Sequence, residues 1–152
     1  MRILGLDFGA KTVGVAVSDD LGLTASGVEI IRRTKETHLR GTFRRIEELL
    51  EYYDAEACVL GLPLNMDGTQ GDRALKTLEF REELLRRFKI PVFLCDERLT
   101  TVDAEELMAE SGIPRREFKT HVDKVAAMLI LTDFLRSHEE AIKNGTLLSE
   151  GM

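Results

Sequence analysis

Residues 3–19 read ILGLDFGAKTVGVAVSD, and the fold of this chain is decided by that stretch. Two apolar runs, 3–6 and 13–17, flank a glycine-containing turn, which predicts a β-hairpin. Asp7 ends the first run, and a carboxylate beside a buried strand is costly unless a cation or hydrogen-bond donors compensate it. Glycines in the turn would let a metal ion or a phosphate approach the backbone closely. Asp7 is therefore a candidate ligand for either, and a turn Asp that binds its own backbone is the alternative.

The composition places the chain among single globular domains. Of its 152 residues, 43% are hydrophobic and 32% are charged. Cys58 and Cys95 lie in apolar runs and predict buried thiols in a reducing compartment, hence a cytoplasmic protein. No apolar run is long enough for a membrane span. The net charge of -6 excludes a generic basic coat for nucleic acid but not a nucleic-acid enzyme, because metal-binding acids count toward that total.

The hydrophobic periodicity predicts the element order β-β-β-α-β-α-β-α-α. Beyond the hairpin, we predict strands at 28–31, 57–62 and 91–95, and helices over 39–53, 70–88, 101–110 and 121–138. Residues 112–119 are expected to form a loop, and the polar residues after 137 a frayed tail. A meander followed by crossovers predicts an α/β fold, in which a mixed five-stranded sheet has the run 3–7 in its middle and helices on both faces.

Three acids stand where this topology would bring them to one sheet edge. Asp7 and Glu97 follow two of the parallel strands, whose carboxyl ends form the ligand-binding edge of open α/β sheets. Two such carboxylates repel each other unless a cation lies between them. Asp123 opens the last predicted helix, where capping of the helix is the alternative role. Carboxylates without a Cys or His cluster favour Mg²⁺ or Mn²⁺, which in two-metal sites carry out phosphoryl chemistry.

Polar and basic residues near the same edge are candidates for substrate contacts. A basic side chain there can meet a phosphate or simply pair with a neighbouring acid, and most basic groups are solvated surface. The loop 63–68 should line the cleft, and the basic residues before Asp123 should form a mobile flap on the nucleic-acid backbone. We predict substrate contacts from six residues: Lys11, Asn65, Arg98, Arg115, Arg116 and Lys119.

Four sequence blocks together resemble the YqgF/RuvX family, whose members are assigned as pre-16S rRNA nucleases and were formerly assigned as Holliday junction resolvases. The blocks are LGLDFG at 4–9, GLPLNMDG at 61–68, DERLTT at 96–101 and DKVAA at 123–127. They occur in the family's order, and the similarity spans roughly residues 2–136. The resemblance implies a ribonuclease H-like nuclease domain over residues 1–138, followed by a polar C-terminal tail at 139–152.

The resemblance also implies an activity and a site. The expected protein is a hydrolase, a divalent-metal-dependent nuclease of structured RNA that matures the 5′ end of pre-16S rRNA in the bacterial cytoplasm. Asp7, Glu97 and Asp123 would be its catalytic, metal-binding acids, with Mg²⁺ or Mn²⁺ in a two-metal site. The wider fold usually carries an acid after the strand corresponding to 57–61. Pro63 and Asn65 follow that strand here, so Glu97 would take the place of the missing acid.

Other functions stay open at this point. The same site would support cleavage of four-way DNA junctions, and the fold would also serve a non-catalytic RNA-binding assembly factor. Actin/Hsp70-like ATPases open with a similar hairpin, but they need two such lobes and 152 residues supply one. The expected partner is nucleic acid, without a membrane, and either a monomer or a homodimer fits the sequence.

Overall fold

The computed structural model describes residues 1–97 and 104–150, and at positions 104, 119–124 and 150 it describes the backbone alone. Strands β1 to β5 span Arg2–Phe8, Thr12–Ser18, Ala25–Arg32, Ala55–Leu62 and Val92–Asp96. Helices α1 to α6 span Arg40–Tyr53, Asp72–Phe88, Ala104–Glu110, Phe118–Ser137, Glu139–Lys143 and Leu147–Glu150.

The five strands form one mixed sheet in the order β3-β2-β1-β4-β5. The first three strands pair antiparallel, as a meander must, whereas β1–β4 and β4–β5 pair in parallel through helical crossovers. The prediction of a five-stranded mixed sheet with the first strand in its middle is confirmed. The carboxyl ends of β1, β4 and β5 consequently lie side by side, and this side of the sheet, where the parallel strands end, is the edge that concerns the site.

Helices cover both faces of the sheet, as predicted. Alternate side chains of a strand point to opposite faces, and in β1 Leu4 and Leu6 join one core cluster while Ile3 joins the other. The first cluster contains Phe43 of α1 and Phe80 of α2. The second is built mainly from α4, the most apolar helix of the chain.

Helix α4 lies unusually close to the sheet because two strand positions facing it are glycines. A Cβ on Gly5 of β1 would come 2.8 Å from the Leu131 Cβ, so any larger residue there would push α4 away. Ile130 lies over Gly61, and Phe134 packs on Phe93 with the ring centres 5.1 Å apart. Because later residues of α4 meet earlier residues of the strands, the amino end of α4 points to the carboxyl edge of the parallel strands.

The connector before α4 is shorter than the sequence predicted. Arg115–Glu117 form one turn of 3-10 helix, and α4 begins at Phe118 rather than at 121. Pro114 has extended backbone and directly precedes this turn, a place where the missing N–H of proline costs nothing. Exposed polar residues in a first helical turn resemble a loop in sequence, which explains the error.

The expectation of frayed structure after residue 137 is also wrong for the described part of the tail. Helices α5 and α6 follow α4, and Leu147 is fully buried in the core cluster of α4. Ala141, Ile142 and Leu148 pack partly against the same cluster. A few apolar residues in a polar background were too sparse to reveal this docking.

The division into residues 1–138 and 139–152 stays a prediction. Among the described residues, no helix has the length and apolar character needed to cross a bilayer.

Candidate active site

Asp7 lies on the central strand and faces the α4 side of the sheet. Its neighbours Leu6 and Phe8 belong to the core between the sheet and helices α1 and α2. Because side chains alternate along a strand, Asp7 is on the opposite face, where it is half-buried. Its register partner in β2 is Gly14, which has no side chain to cover it. The hairpin therefore carries a carboxylate at the edge where the parallel strands end.

Glu97 directly follows β5 and is half-buried at the same edge. Burial raises the pKa of the Glu97 carboxyl from 4.5 to about 7, with smaller contributions from the charges of Asp7 and Asp96. Asp7 follows Leu6 and Gly61 follows its register partner Leu60, and the Glu97 carboxylate lies over Gly61, so the two acids are neighbours across strand β4. The structure thus brings two of the three predicted acids together.

Gly61 of β4 makes room for Glu97, a role that the sequence did not predict. A Cβ on Gly61 would overlap Oε1 of Glu97 and would lie 2.5 Å from Cδ1 of Ile130. The carboxylate of Glu97 therefore occupies the space above Gly61 that any other residue would fill. A glycine inside an otherwise apolar strand often marks such a close approach, and this was the available signal.

The backbone of Asp123 lies at the same edge of the sheet. It is one helical turn before Ala127, whose carbonyl oxygen would lie 3.2 Å from a Cβ on Gly5. Because α4 begins at Phe118, Asp123 is in the second turn, and the capping role considered for it is wrong. Its side chain lies outside the described residues, so its role as a third ligand stays a prediction.

Lys11 lies at the exposed tip of the β1–β2 hairpin, in a turn that Arg33 holds in place. The Arg33 Nη2 atom donates hydrogen bonds to the carbonyls of Gly9 at 2.6 Å and Ala10 at 2.7 Å. The Arg33 backbone N–H also donates to the Lys11 carbonyl at 2.9 Å. Hydrogen bonds therefore fix the turn that carries Lys11, three residues beyond the end of the strand that carries Asp7.

The other predicted contact residues divide into three groups. Asn65 is exposed in the loop after β4, where its Nδ2 atom donates to Oγ1 of Thr69 at 2.9 Å. Arg115 and Arg116 are exposed in the 3-10 helix that leads into α4. Arg98 lies outside the described residues, as does the side chain of Lys119. Contact of any of these with substrate stays a prediction.

The sequence profile of the RuvX family, described as Holliday junction resolvase, matches residues 1–137. This chain belongs to the RuvX family. A relative from Agathobacter rectalis is 54% identical over 135 residues, which cover 89% of this chain and 94% of the relative. One from Lachnospira eligens is 49% identical over 140 residues, covering 92% and 100%. Both carry the provisional name pre-16S rRNA nuclease. As a RuvX nuclease, the chain is a hydrolase of phosphodiester bonds.

Solved structures with the same architecture come from the RuvC resolvases. Thermus thermophilus RuvC in complex with a Holliday junction substrate superimposes with a TM-score of 0.64 at 17% identity, covering 91% of this chain and 96% of that chain. A second Thermus thermophilus RuvC structure gives a TM-score of 0.58 at 19% identity, covering 96% and 98%. At this identity the likeness shows the fold alone. The RuvX chain therefore has the ribonuclease H-like fold that the sequence predicted.

Nucleases of this fold generally use divalent metal ions, and the described acids fit such an ion. Two carboxylates that share a half-buried edge have the oxygen donors that hard divalent cations prefer. Burial is the main cause of the raised pKa of Glu97, the charges of Asp7 and Asp96 raise it further, and a bound cation would compensate both effects. Among the side chains that the structure describes, no three acids, histidines or cysteines cluster together, and Asp123 is not among those side chains.

Glu97 makes the stability of the metal-free protein depend on pH. Between pH 4.5 and about 7, the folded protein keeps a proton on Glu97 that the unfolded chain has released. The free energy of unfolding therefore falls as the pH rises through this window. We expect the melting temperature in EDTA to fall by a few degrees more between pH 5 and pH 8 in the wild type than in Glu97→Gln. Equal pH profiles of the two proteins would contradict the placement of Glu97.

Proposed function

We propose that this RuvX chain is a divalent-metal-dependent nuclease that cleaves structured RNA and matures the 5′ end of pre-16S rRNA in the cytoplasm. The observation that carries the proposal is the position of Glu97 above the bare backbone of Gly61, where its carboxyl is within the electrostatic influence of Asp7. The names of its relatives support precursor rRNA as the substrate.

In this proposal the acids hold the metal ions and the basic residues hold the RNA. Asp7, Glu97 and Asp123 would bind Mg²⁺ or Mn²⁺, which supply an activated water and stabilise the leaving oxygen. In the metal-free protein burial raises the pKa of Glu97 to about 7, so a bound cation would have to displace a proton from this carboxyl near neutral pH. Lys11 on its Arg33-held turn would contact the RNA backbone beside Asp7. Asn65, in the loop after β4, and Arg98, which follows Glu97 in the chain, would contact substrate as well.

A four-way DNA junction is the second candidate substrate. The family description names Holliday junction resolvase, and the RuvC structure that superimposes with a TM-score of 0.64 holds a junction. The deciding experiment compares Mn²⁺-dependent cleavage of a precursor 16S rRNA fragment with cleavage of a four-way DNA junction, with Asp7→Asn as the inactive control. Faster cleavage of RNA supports the proposal. Cleavage of the junction alone would favour the resolvase, and RNA binding without cleavage would favour an assembly factor.

Arg115 and Arg116 are expected to contact nucleic-acid phosphates, together with Lys119. Each lost phosphate contact reduces the slope of log K against log salt by roughly 0.7 for single strands and 0.9 for duplexes. We expect the double variant Arg115→Gln/Arg116→Gln to bind RNA more weakly and to lose about 1.5 from this slope. Fluorescence anisotropy across a range of KCl concentrations measures it.

A matched control removes the same charge from α1, on the opposite face of the sheet. Arg40 and Arg44 are exposed there, and the variant Arg40→Gln/Arg44→Gln should leave the slope unchanged. The reverse result, with the slope altered only by the α1 pair, would place the RNA-binding surface on α1.

A further inference from the structure

The loop after β4 presents one large apolar side chain to solvent. Met66 is 86% exposed, more than any other large apolar side chain in the part of the chain that the structure describes. It lies in a four-residue turn that the Gly68 N–H closes onto the Asn65 carbonyl at 2.8 Å. Gly68 has a φ of 90°, which glycine adopts without strain. The turn conformation is therefore encoded locally, and Met66 is held at its tip.

Further hydrogen bonds stiffen the base of this turn. The Asn65 N–H donates to the Thr69 carbonyl at 3.0 Å, and the Asn65 side chain binds the Thr69 hydroxyl. Oδ1 of Asp67 accepts from both the N–H and the hydroxyl of Thr69, at 3.0 Å and 2.6 Å. These bonds engage the polar side chains on either side of Met66 within the loop. Met66 thus lies at the tip of a turn that these hydrogen bonds hold in one conformation.

Exposure of a single apolar residue is common on protein surfaces, so the position of Met66 carries the argument. The strand before this loop ends at Leu62, whose register partner is Asp96, next to Glu97. Met66 is four positions after Leu62, so the two residues are about 14 Å apart at most. With roughly 3.4 Å per nucleotide along a strand, Met66 can reach a base about one to four nucleotides from a phosphate held at the acids.

We propose that Met66 contacts the face of an unstacked base near the scissile phosphate and makes the enzyme select substrates whose base stacking is interrupted there. This inference rests on the proposed function and deepens it by naming the substrate class: RNA at a boundary between paired and unpaired nucleotides. A continuous duplex shows protein only phosphates and base edges. An apolar side chain meets a base face only where the stack is open or is opened by the side chain.

The first test detects the contact without cleavage. Metal-free protein binds an RNA hairpin that has a single-stranded extension, with 2-aminopurine at each of the first four unpaired positions in turn. We expect wild-type protein to change the fluorescence at one or more of these positions at least twofold, and Met66→Ala to lose this change. Met66→Leu, which keeps an apolar side chain, should retain it.

The matched control is Leu21→Ala. Leu21 is 71% exposed in the β2–β3 turn, at the opposite edge of the sheet, so its truncation should leave the fluorescence change intact. Equal fluorescence responses of wild type and Met66→Ala at all four positions would overturn the inference. Loss of the response in Leu21→Ala as well would do the same, because the effect would then not depend on position.

The second test measures selectivity in the presence of Mn²⁺. We expect Met66→Ala to lose about tenfold in kcat/KM on the hairpin with an extension, because it removes an apolar side chain that holds an opened base step, and less than twofold on a fully single-stranded RNA. Equal losses on both RNAs would contradict the role in selecting the boundary. If wild-type protein cleaves no RNA at all, the proposed function fails, while the fluorescence test of Met66 still stands on its own.

Discussion

Replacing Asp7 with Asn is expected to give a folded protein that binds RNA and does not cleave it. The amide keeps the shape of the side chain but removes a charge that a divalent cation needs. Burial is the main cause of the raised pKa of Glu97, and the charge of Asp7 raises it further, so the two carboxylates disfavour each other in the metal-free protein. Removing one carboxylate should therefore stabilise the metal-free protein by about 1 kcal/mol. Nuclease rate and melting temperature, measured on one sample with and without Mn²⁺, test both effects.

The same variant separates a catalytic Asp7 from one that only stabilises its turn. A turn-stabilising Asp predicts a lower melting temperature and full activity in the folded fraction. Asp54→Asn is a matched control, because it removes the same charge from the C-cap of α1, where a φ of 52° also suits asparagine. That control should keep wild-type activity. Metal-dependent cleavage by Asp7→Asn at the wild-type rate would end the nuclease site as proposed.

Gly61→Ala is expected to lose cleavage activity and stability together. The added methyl group would overlap Oε1 of Glu97 and approach Cδ1 of Ile130, so both the acid and α4 must shift. Displacement of a reacting group by about 1 Å can cost roughly a hundredfold in rate. Overpacking against Ile130 should lower the free energy of unfolding by about 1–3 kcal/mol. We would measure kcat at saturating Mn²⁺ and the urea unfolding midpoint.

Gly41→Ala provides the control for Gly61→Ala. Gly41 lies in α1, and a Cβ there would meet no atom within 4 Å. The substitution should therefore raise stability by about 0.5–1 kcal/mol through helix propensity and leave activity unchanged. If folded Gly61→Ala cleaves at the wild-type rate, Glu97 does not act from the position above β4, and the arrangement proposed for the site is wrong.

The sequence predicted much of the fold because local patterns carry it. Short apolar runs separated by amphipathic helical spacing predicted all five strands and their mixed order, and the structure confirms both. The first strand lies in the middle because the antiparallel meander extends from one side of it and the parallel strands β4 and β5 extend from the other. Errors arose where local patterns are weak. Residues 115–117, directly before α4, are polar and exposed, and the C-terminal tail docks through only a few apolar residues, among them Leu147.

The sequence by itself determined the types of residue at the site, since it placed carboxylates at the ends of two predicted parallel strands. It could not show that Asp7 and Glu97 interact. Their strands, β1 and β5, are far apart in the chain and become the two neighbours of β4 only in the folded sheet. Tertiary structure alone decided that Glu97 lies above Gly61, that burial raises its pKa, and that α4 approaches the sheet closely enough to bring the backbone of Asp123 to the same edge. These are properties of distances between elements far apart in the chain, which no local pattern of residues encodes.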